Sequence, residues 1–186
     1  LKTIYITNGY MTPEMLELTV PTLDAANVDI KAFDDRIHRK YTAGHLQPVL
    51  DSCVALLKAG VWLEVTTLVI PGINDDEDQL QGVAKFIATK LSPDVPWHIS
   101  RFYPQYKMED RRPTSQKSLE EAYEIGKEAG LRYIYIGNLP GVRAESTYCY
   151  SCGTLLIDRV GYTVKSNVIE DGTCPKCGAE IAGFGL

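Results

Sequence analysis

The chain lacks any apolar run near the roughly 20 residues a membrane-crossing helix needs, so no membrane role is expected. It lacks a basic excess: 19 Lys and Arg stand against 24 Asp and Glu, for a net charge of -5. Surfaces that neutralise phosphates concentrate Lys and Arg, so nucleic acid is not an expected partner. No basic stretch followed by an apolar segment opens the chain, and no secretory signal is expected. Histidine is scarce, with three scattered residues, which argues against a histidine metal centre. Cysteine is scarce as well, and its placement suits a reducing cytoplasm.

Four of the five cysteines form two knuckles, Cys149-Tyr150-Ser151-Cys152-Gly153 and Cys174-Pro175-Lys176-Cys177-Gly178, with 21 residues between the inner cysteines. Each C-x-x-C turn brackets an ion from one side, and the following glycine permits the left-handed backbone such a turn needs. Cys149, Cys152, Cys174 and Cys177 are therefore the expected ligands of one metal ion. The alternative, two disulfides, needs an oxidising compartment. Zinc fits a closed four-thiolate site, and iron uses the same ligand set, so spacing leaves the metal open. Residues 146–186 carry few large apolar side chains and read as short hairpins stapled by that metal, a zinc-ribbon or rubredoxin-like unit. Cys53 lies in an amphipathic helical pattern and reads as a small buried hydrophobe.

Residues 1–141 alternate strand and helix patterns. Strands are expected at 4–6, 28–33, 61–70, 97–103 and 131–136. Helices are expected after Thr12-Pro13, over 48–59 ended by Gly60, after Asp75-Asp76-Glu77-Asp78 to about Lys90, and from a cap at Thr114 or Ser118 to Ala129. Residues 34–44 read as a polar loop with His38 and His45 solvated. Alternation of this kind calls for parallel strands with right-handed crossovers. The strands carry polar residues on one face, which fits a barrel wall better than a doubly wound sheet. The expected fold class is α/β, a partial, half TIM-like barrel with the small four-cysteine unit appended. The chain begins at Leu1 inside an alternating strand, which suggests a piece of a longer polypeptide.

Ligands of parallel α/β folds sit at strand carboxyl ends. The candidates there are Thr7, Asn8, Asp29, Lys31, Glu64, Thr66, Arg101 and Tyr103. Asp29 and Lys31 lie two apart on one face. They can take the two charges of an amino-acid group, or only pair with each other and order the wall.

Thr7-Asn8-Gly9, Asp29-Ile30-Lys31, Val69-Ile70-Pro71-Gly72 and Ser100-Arg101-Phe102-Tyr103-Pro104 resemble the later barrel strands of radical SAM enzymes of the glycyl-radical-activase type. Residues 61–72, 95–102 and 138–178 resemble the AmmeMemoRadiSam-system radical SAM enzymes, which are related to pyruvate-formate-lyase activating enzyme. The resemblance covers essentially the whole chain. It implies a partial (β/α)6 barrel, in which a [4Fe-4S] cluster on a C-x-x-x-C-x-x-C loop cleaves S-adenosylmethionine to a 5′-deoxyadenosyl radical. It implies that Asp29 and Lys31 lie at the methionyl end of the cofactor and that Asn8 sits in a turn facing it. Tyr103 stands near the position where activases carry His; its hydroxyl can donate a hydrogen bond but does not repeat imidazole charge chemistry. Glu64 and Thr66 complete the expected cofactor-binding set as polar residues of the barrel wall.

The sequence contains no C-x-x-x-C-x-x-C, so this polypeptide alone is expected to bind no cluster and to have no radical activity. The leading expectation is the C-terminal portion of a radical SAM enzyme acting on a substrate the sequence does not name. One alternative is a metal-stabilised binding module that docks a partner protein. Another is rubredoxin-like electron transfer by iron at the four cysteines.

Overall fold

The computed structural model describes residues 1–184. Five strands pair in parallel and in chain order: β1 (Ile4–Thr7), β2 (Ala25–Asp29), β3 (Trp62–Val69), β4 (Trp97–Arg101) and β5 (Ile134–Gly137). Between them run α1 (Pro13–Thr19), α2 (Asp35–Thr42), α3 (Leu46–Lys58), α4 (Glu77–Phe86) and α5 (Gln116–Glu128). The α/β order of parallel strands expected from the alternation is thus observed.

One face of the sheet is dry. In β3, Leu63, Val65, Thr67 and Val69 are buried while Trp62, Glu64, Thr66 and Leu68 are not. The buried set packs with Val49, Cys53 and Leu56 of α3, Leu80 and Val83 of α4, and Leu119 of α5. Trp97 is fully buried in this layer and donates its indole N–H to Thr67 Oγ1 at 3.0 Å, so its one polar atom is satisfied. Cys53 is buried there too, and burial pushes its thiol up to about 12, as suits a packing residue. Register aligns polar residues on the opposite face. Asn27 pairs with Glu64, Asp29 with Thr66, Thr66 with His98, and His98 with Tyr135.

Several boundaries differ from the sequence reading. β2 covers Ala25–Asp29 instead of 28–33. Alternation continues past it, with Ile30 and Ala32 buried, but the Asn74 side chain replaces a strand partner there. Asn74 Nδ2 donates to Lys31 O at 2.8 Å and Leu68 O at 2.9 Å, and its Oδ1 accepts from Ile70 N at 2.7 Å. Gln79 Oε1 accepts from the backbone of Phe33 and Asp34, continuing the clamp. Residues 34–44 are no polar loop but hold α2. Asp34 caps it by accepting from Ile37 N, and Asp35 in the first turn and Arg39 and Lys40 in the last suit the helix dipole. His38 is consequently buried, not solvated, with Nδ1 2.9 Å from Gly44 O. Ser115 caps α5; Thr114 is buried and donates to Val69 O at 2.6 Å, joining β3 to the start of α5. α4 ends at Phe86 and widens into one π turn over Ile87–Leu91.

Gly9 turns β1 toward α1 at φ 70°, and a Cβ there would lie 2.5 Å from Val28 Cγ1, so both conformation and space require glycine. The turn places Asn8 beside the strand ends.

The remaining strands are antiparallel: β6 (Thr147–Tyr148), β7 (Leu155–Val160) and β8 (Thr163–Asn167), in that order. Their core is small: Cys149, Leu156, Ile157, Cys174 and Ile181, joined by Tyr133 from the segment entering β5. Leu155, Val160, Val164 and Val168 stay exposed.

Asn74→Ala would leave two carbonyls and one N–H at the strand ends without partners. Urea unfolding should show a loss of about 2–4 kcal/mol, well beyond an ordinary surface substitution.

Candidate functional site

Three groups of chemically capable residues stand on this frame. The first is the cysteine cluster. Gly153 and Gly178 adopt φ 72°, and each donates its N–H back to the carbonyl of the first cysteine in its knuckle, Cys149 or Cys174, at 2.9 Å. These turns bring the four sulfurs within 4.8 Å of one another. Cys149 Sγ lies 3.6 Å from Cys177 Sγ, and Cys152 Sγ lies 3.7 Å from Cys174 Sγ. A tetrahedron with metal–sulfur bonds of about 2.3 Å has edges near 3.8 Å, whereas a disulfide needs about 2.05 Å. The donor set therefore fits one four-coordinate ion, and all four cysteines are free. The Thr154 hydroxyl and N–H lower the Cys152 thiol to about 6. At Cys177 the Ala179 N–H pulls down most strongly, but hydrogen bonding with Cys152, burial, and hydrogen bonding with Cys149 and Cys174 together outweigh it and the thiol rises to about 11. Without a cation, one thiolate holds the proton on its neighbour; a bound metal removes that competition.

The second group lies at the carboxyl ends of the strands. Lys31 Nζ and Asp29 Oδ2 form an ion pair at 2.7 Å, and both side chains keep contact with solvent. Asn8 Oδ1 accepts from Tyr10 N at 3.0 Å, which shapes the turn after β1. Tyr103 follows β4; its hydroxyl accepts from Arg101 Nη1 at 3.1 Å and donates to Asn138 O at 3.2 Å. It thus ties the ends of β4 and β5 together.

Glu64 and Thr66 lie within β3. Thr66 is in mid-strand and donates to Asn27 Oδ1 at 2.7 Å. Glu64 is nearer the amino end of β3. It accepts from Trp62 Nε1 at 3.0 Å and lies 2.7 Å from His98 Nε2. Burial pushes the Glu64 carboxyl up, but the bond and charge of His98, with Trp62 and Asn27, outweigh this and hold it below the ordinary range. The expected cofactor set is therefore spread along the strands: Asn8, Asp29, Lys31 and Tyr103 sit at the carboxyl ends, Thr66 stands in register with Asp29, and Glu64 lies in a polar layer nearer the amino ends.

That layer is the third group, and the sequence reading left most of it out. His98 stacks on Tyr135 with ring centroids 5.2 Å apart, and the Tyr135 hydroxyl meets Thr147 Oγ1 at 2.9 Å. Arg159 Nη1 donates to the same Thr147 oxygen at 2.6 Å. Strand register sets His98 beside Thr66, and the approach of Arg159 depends on how the four-cysteine unit docks, which no spacing encodes. No helix among the described residues is long and apolar enough to cross a membrane.

Comparison with known proteins agrees with this geometry. Residues 1–83 match the family model described as Radical SAM superfamily. The chain is 42% identical over 180 residues to an uncharacterised protein, MJ0808, of Methanocaldococcus jannaschii, covering 96% of this chain and 53% of that one. It is 29% identical over 133 residues to MJ1632 of the same organism, whose name assigns it provisionally to the glycyl-radical enzyme activating enzymes; that match covers 69% of this chain and 48% of the relative. The chain thus spans about half the length of these curated relatives. Among solved structures, a domain of a pyruvate-formate lyase-activating enzyme from Bacteroides vulgatus superposes with a TM-score of 0.61 at 17% identity, covering 72% of this chain and 80% of that one. A radical SAM methyltransferase from Sphaerobacter thermophilus gives 0.57 at 15% identity, covering 82% and 44%. The two superpositions show a shared fold.

Two outcomes follow. Cys149→Ser should abolish stoichiometric metal binding, measured by elemental analysis, and should raise proteolytic sensitivity after residue 146. A carboxyl depressed in the folded state adds stability above its ordinary value, 4.5 for Glu64, and loses it as pH falls through the folded value. Glu64→Gln should therefore flatten the acid limb of a stability-versus-pH curve while costing little below it.

Proposed function

With a radical SAM superfamily segment at residues 1–83, we propose that the chain is the rear part of a radical SAM enzyme of the glycyl-radical-activase kind. The observation that carries this reading is the Asp29–Lys31 pair at the carboxyl end of β2, inside the matched segment and within a fold shared with an activating enzyme. S-adenosylmethionine, if bound there, would supply the radical chemistry of the family. In this reading Asp29 takes the α-amino group of the methionyl end and Lys31 its carboxylate, exchanging one ion pair for two. Asn74 holds Lys31 in place through its carbonyl. Asn8 lines the turn that faces the cofactor, and Tyr103 braces the last two strand ends.

The chain itself does not offer a cluster site. Four cysteines are committed to one closed tetrahedron and Cys53 is fully buried. The cluster loop then belongs to sequence preceding Leu1, and this polypeptide alone is inactive in radical chemistry. The free edge of β1 supports that arrangement: β1 ends the sheet with one side unpaired among the described residues, and Ile4 and Ile6 on the face beside that edge are 59% and 78% exposed. The four-cysteine unit, in the same reading, holds zinc in a structural role, because four thiolates leave no open coordination position. The setting is cytoplasmic, where thiols stay reduced, and partner proteins dock on the completed enzyme.

The reading is tested on the longer polypeptide encoded by the source reading frame, reconstituted anaerobically. It should form 5′-deoxyadenosine from S-adenosylmethionine under reduction, and Lys31→Met should weaken S-adenosylmethionine binding by about tenfold. A reading frame without a C-x-x-x-C-x-x-C upstream would reject the proposal and favour the binding module. Elemental analysis separates the metals: zinc supports the structural role, and iron with a reversible couple favours electron transfer.

A further inference from the structure

We infer that the chain carries a second ligand site, at the amino ends of the strands, built to take a small carboxylic acid with a flat apolar body. The site is a cleft of about 770 Å³ between the polar face of the five-stranded sheet and the four-cysteine unit. That volume lies within the range of about 300–1,000 Å³ common for small-molecule sites. Most of its sheet lining comes from the amino halves of β2, β3 and β4, with Asn138 and Pro140 beyond β5 bordering it; Asp29 and Lys31 do not line it, so it is a site apart from that pair.

The chemistry of the walls selects the ligand. The sheet contributes Trp62 and Tyr135, flat aromatic surfaces, and the four-cysteine unit contributes Ile157, Ile169 and Ile181. Charge is sparse and mostly satisfied. Glu64 is held by Trp62 and His98, and Glu145 accepts from Gly141 N. Arg159 differs. It is half-buried and lines the cleft, its guanidinium lies 5.7 Å from the Tyr135 ring, and its side chain donates to the neutral Thr147 hydroxyl. No acidic group lies within ion-pairing distance of it among the described residues. A cation removed from water and given a neutral partner is costly, and an incoming carboxylate repays that cost through a charge-assisted, forked hydrogen bond. The planar walls then take an aromatic or conjugated body by stacking. His98, oriented by Glu64, stacks on the same Tyr135 ring and adds a polar contact beside the cation.

Both walls are needed, and the second depends on the metal. Thr147, which anchors Arg159 and Tyr135, is two residues before Cys149. Ligand binding should therefore require the metal-loaded chain.

The test titrates benzoate, 4-hydroxybenzoate and indole-3-acetate into the metal-loaded chain, followed by calorimetry and by Trp62 fluorescence. At least one acid should bind saturably, one per chain. Arg159→Met should weaken that acid by about tenfold or more, Arg159→Lys should retain part of the affinity, and Lys117→Met on the exposed face of α5 should change nothing. Circular dichroism confirms that each variant folds. Stripping the metal should abolish binding. The inference is overturned if none of the three acids saturates by about 5 mM, a bound of roughly 3 kcal/mol, or if Arg159→Met binds as tightly as the parent. The radical proposal is untouched by either result.

Discussion

The structure depends on the convergence of four sulfurs. Thiols at 3.6 and 3.7 Å from each other are stable together when a cation compensates the thiolate charge. The buried core around them is too small to fold a segment of this length by apolar burial alone, since Leu156, Ile157 and Ile181 are its only buried aliphatic side chains among the described residues. Tyr133, on the way into β5, is the bridge. It packs in that small core and its hydroxyl accepts from Ala182 N at 3.0 Å. A metal held by the four sulfurs would thus act on the five-stranded sheet as well as on the hairpins.

That coupling explains the two-ended character of the sheet. At the carboxyl ends, order comes from side chains of the loops. Asn74 and Gln79 clamp the backbone beyond β2, and Thr114 ties β3 to α5. At the amino ends, order comes from the four-cysteine unit through Thr147, Tyr135 and Arg159. The helices pack only one face of the sheet, so polar residues on the other face remain available to ligands at both ends.

Much of this was legible in the sequence. Alternation in Trp62–Val69 and the spacing of glycine and proline gave the parallel α/β order. The two knuckles gave the ligands, because a C-x-x-C-G turn is a local object whose geometry travels with its sequence. The carboxyl end of β2 was misjudged because the Lys31 carbonyl beyond it turns to the Asn74 side chain, a contact 43 residues away. The helix Asp35–Thr42 was missed because its residues are mostly polar, and its formation relies on the Asp34 cap and on burial of His38. The height of Glu64 along the sheet was not legible because strand faces follow a period of two, while height depends on register with neighbours. The layer joining His98, Tyr135, Thr147 and Arg159 required the docking of two sheets, which local pattern does not contain.

Hydrogen–deuterium exchange on the metal-loaded and metal-stripped chain tests the central claim most directly. Coupling through Tyr133 and Thr147 predicts that stripping raises exchange in residues 147–182 and also in β5, with the α3 and α4 regions unchanged. Exchange that rises only after residue 146, leaving β5 as protected as before, would contradict a metal that orders the barrel floor.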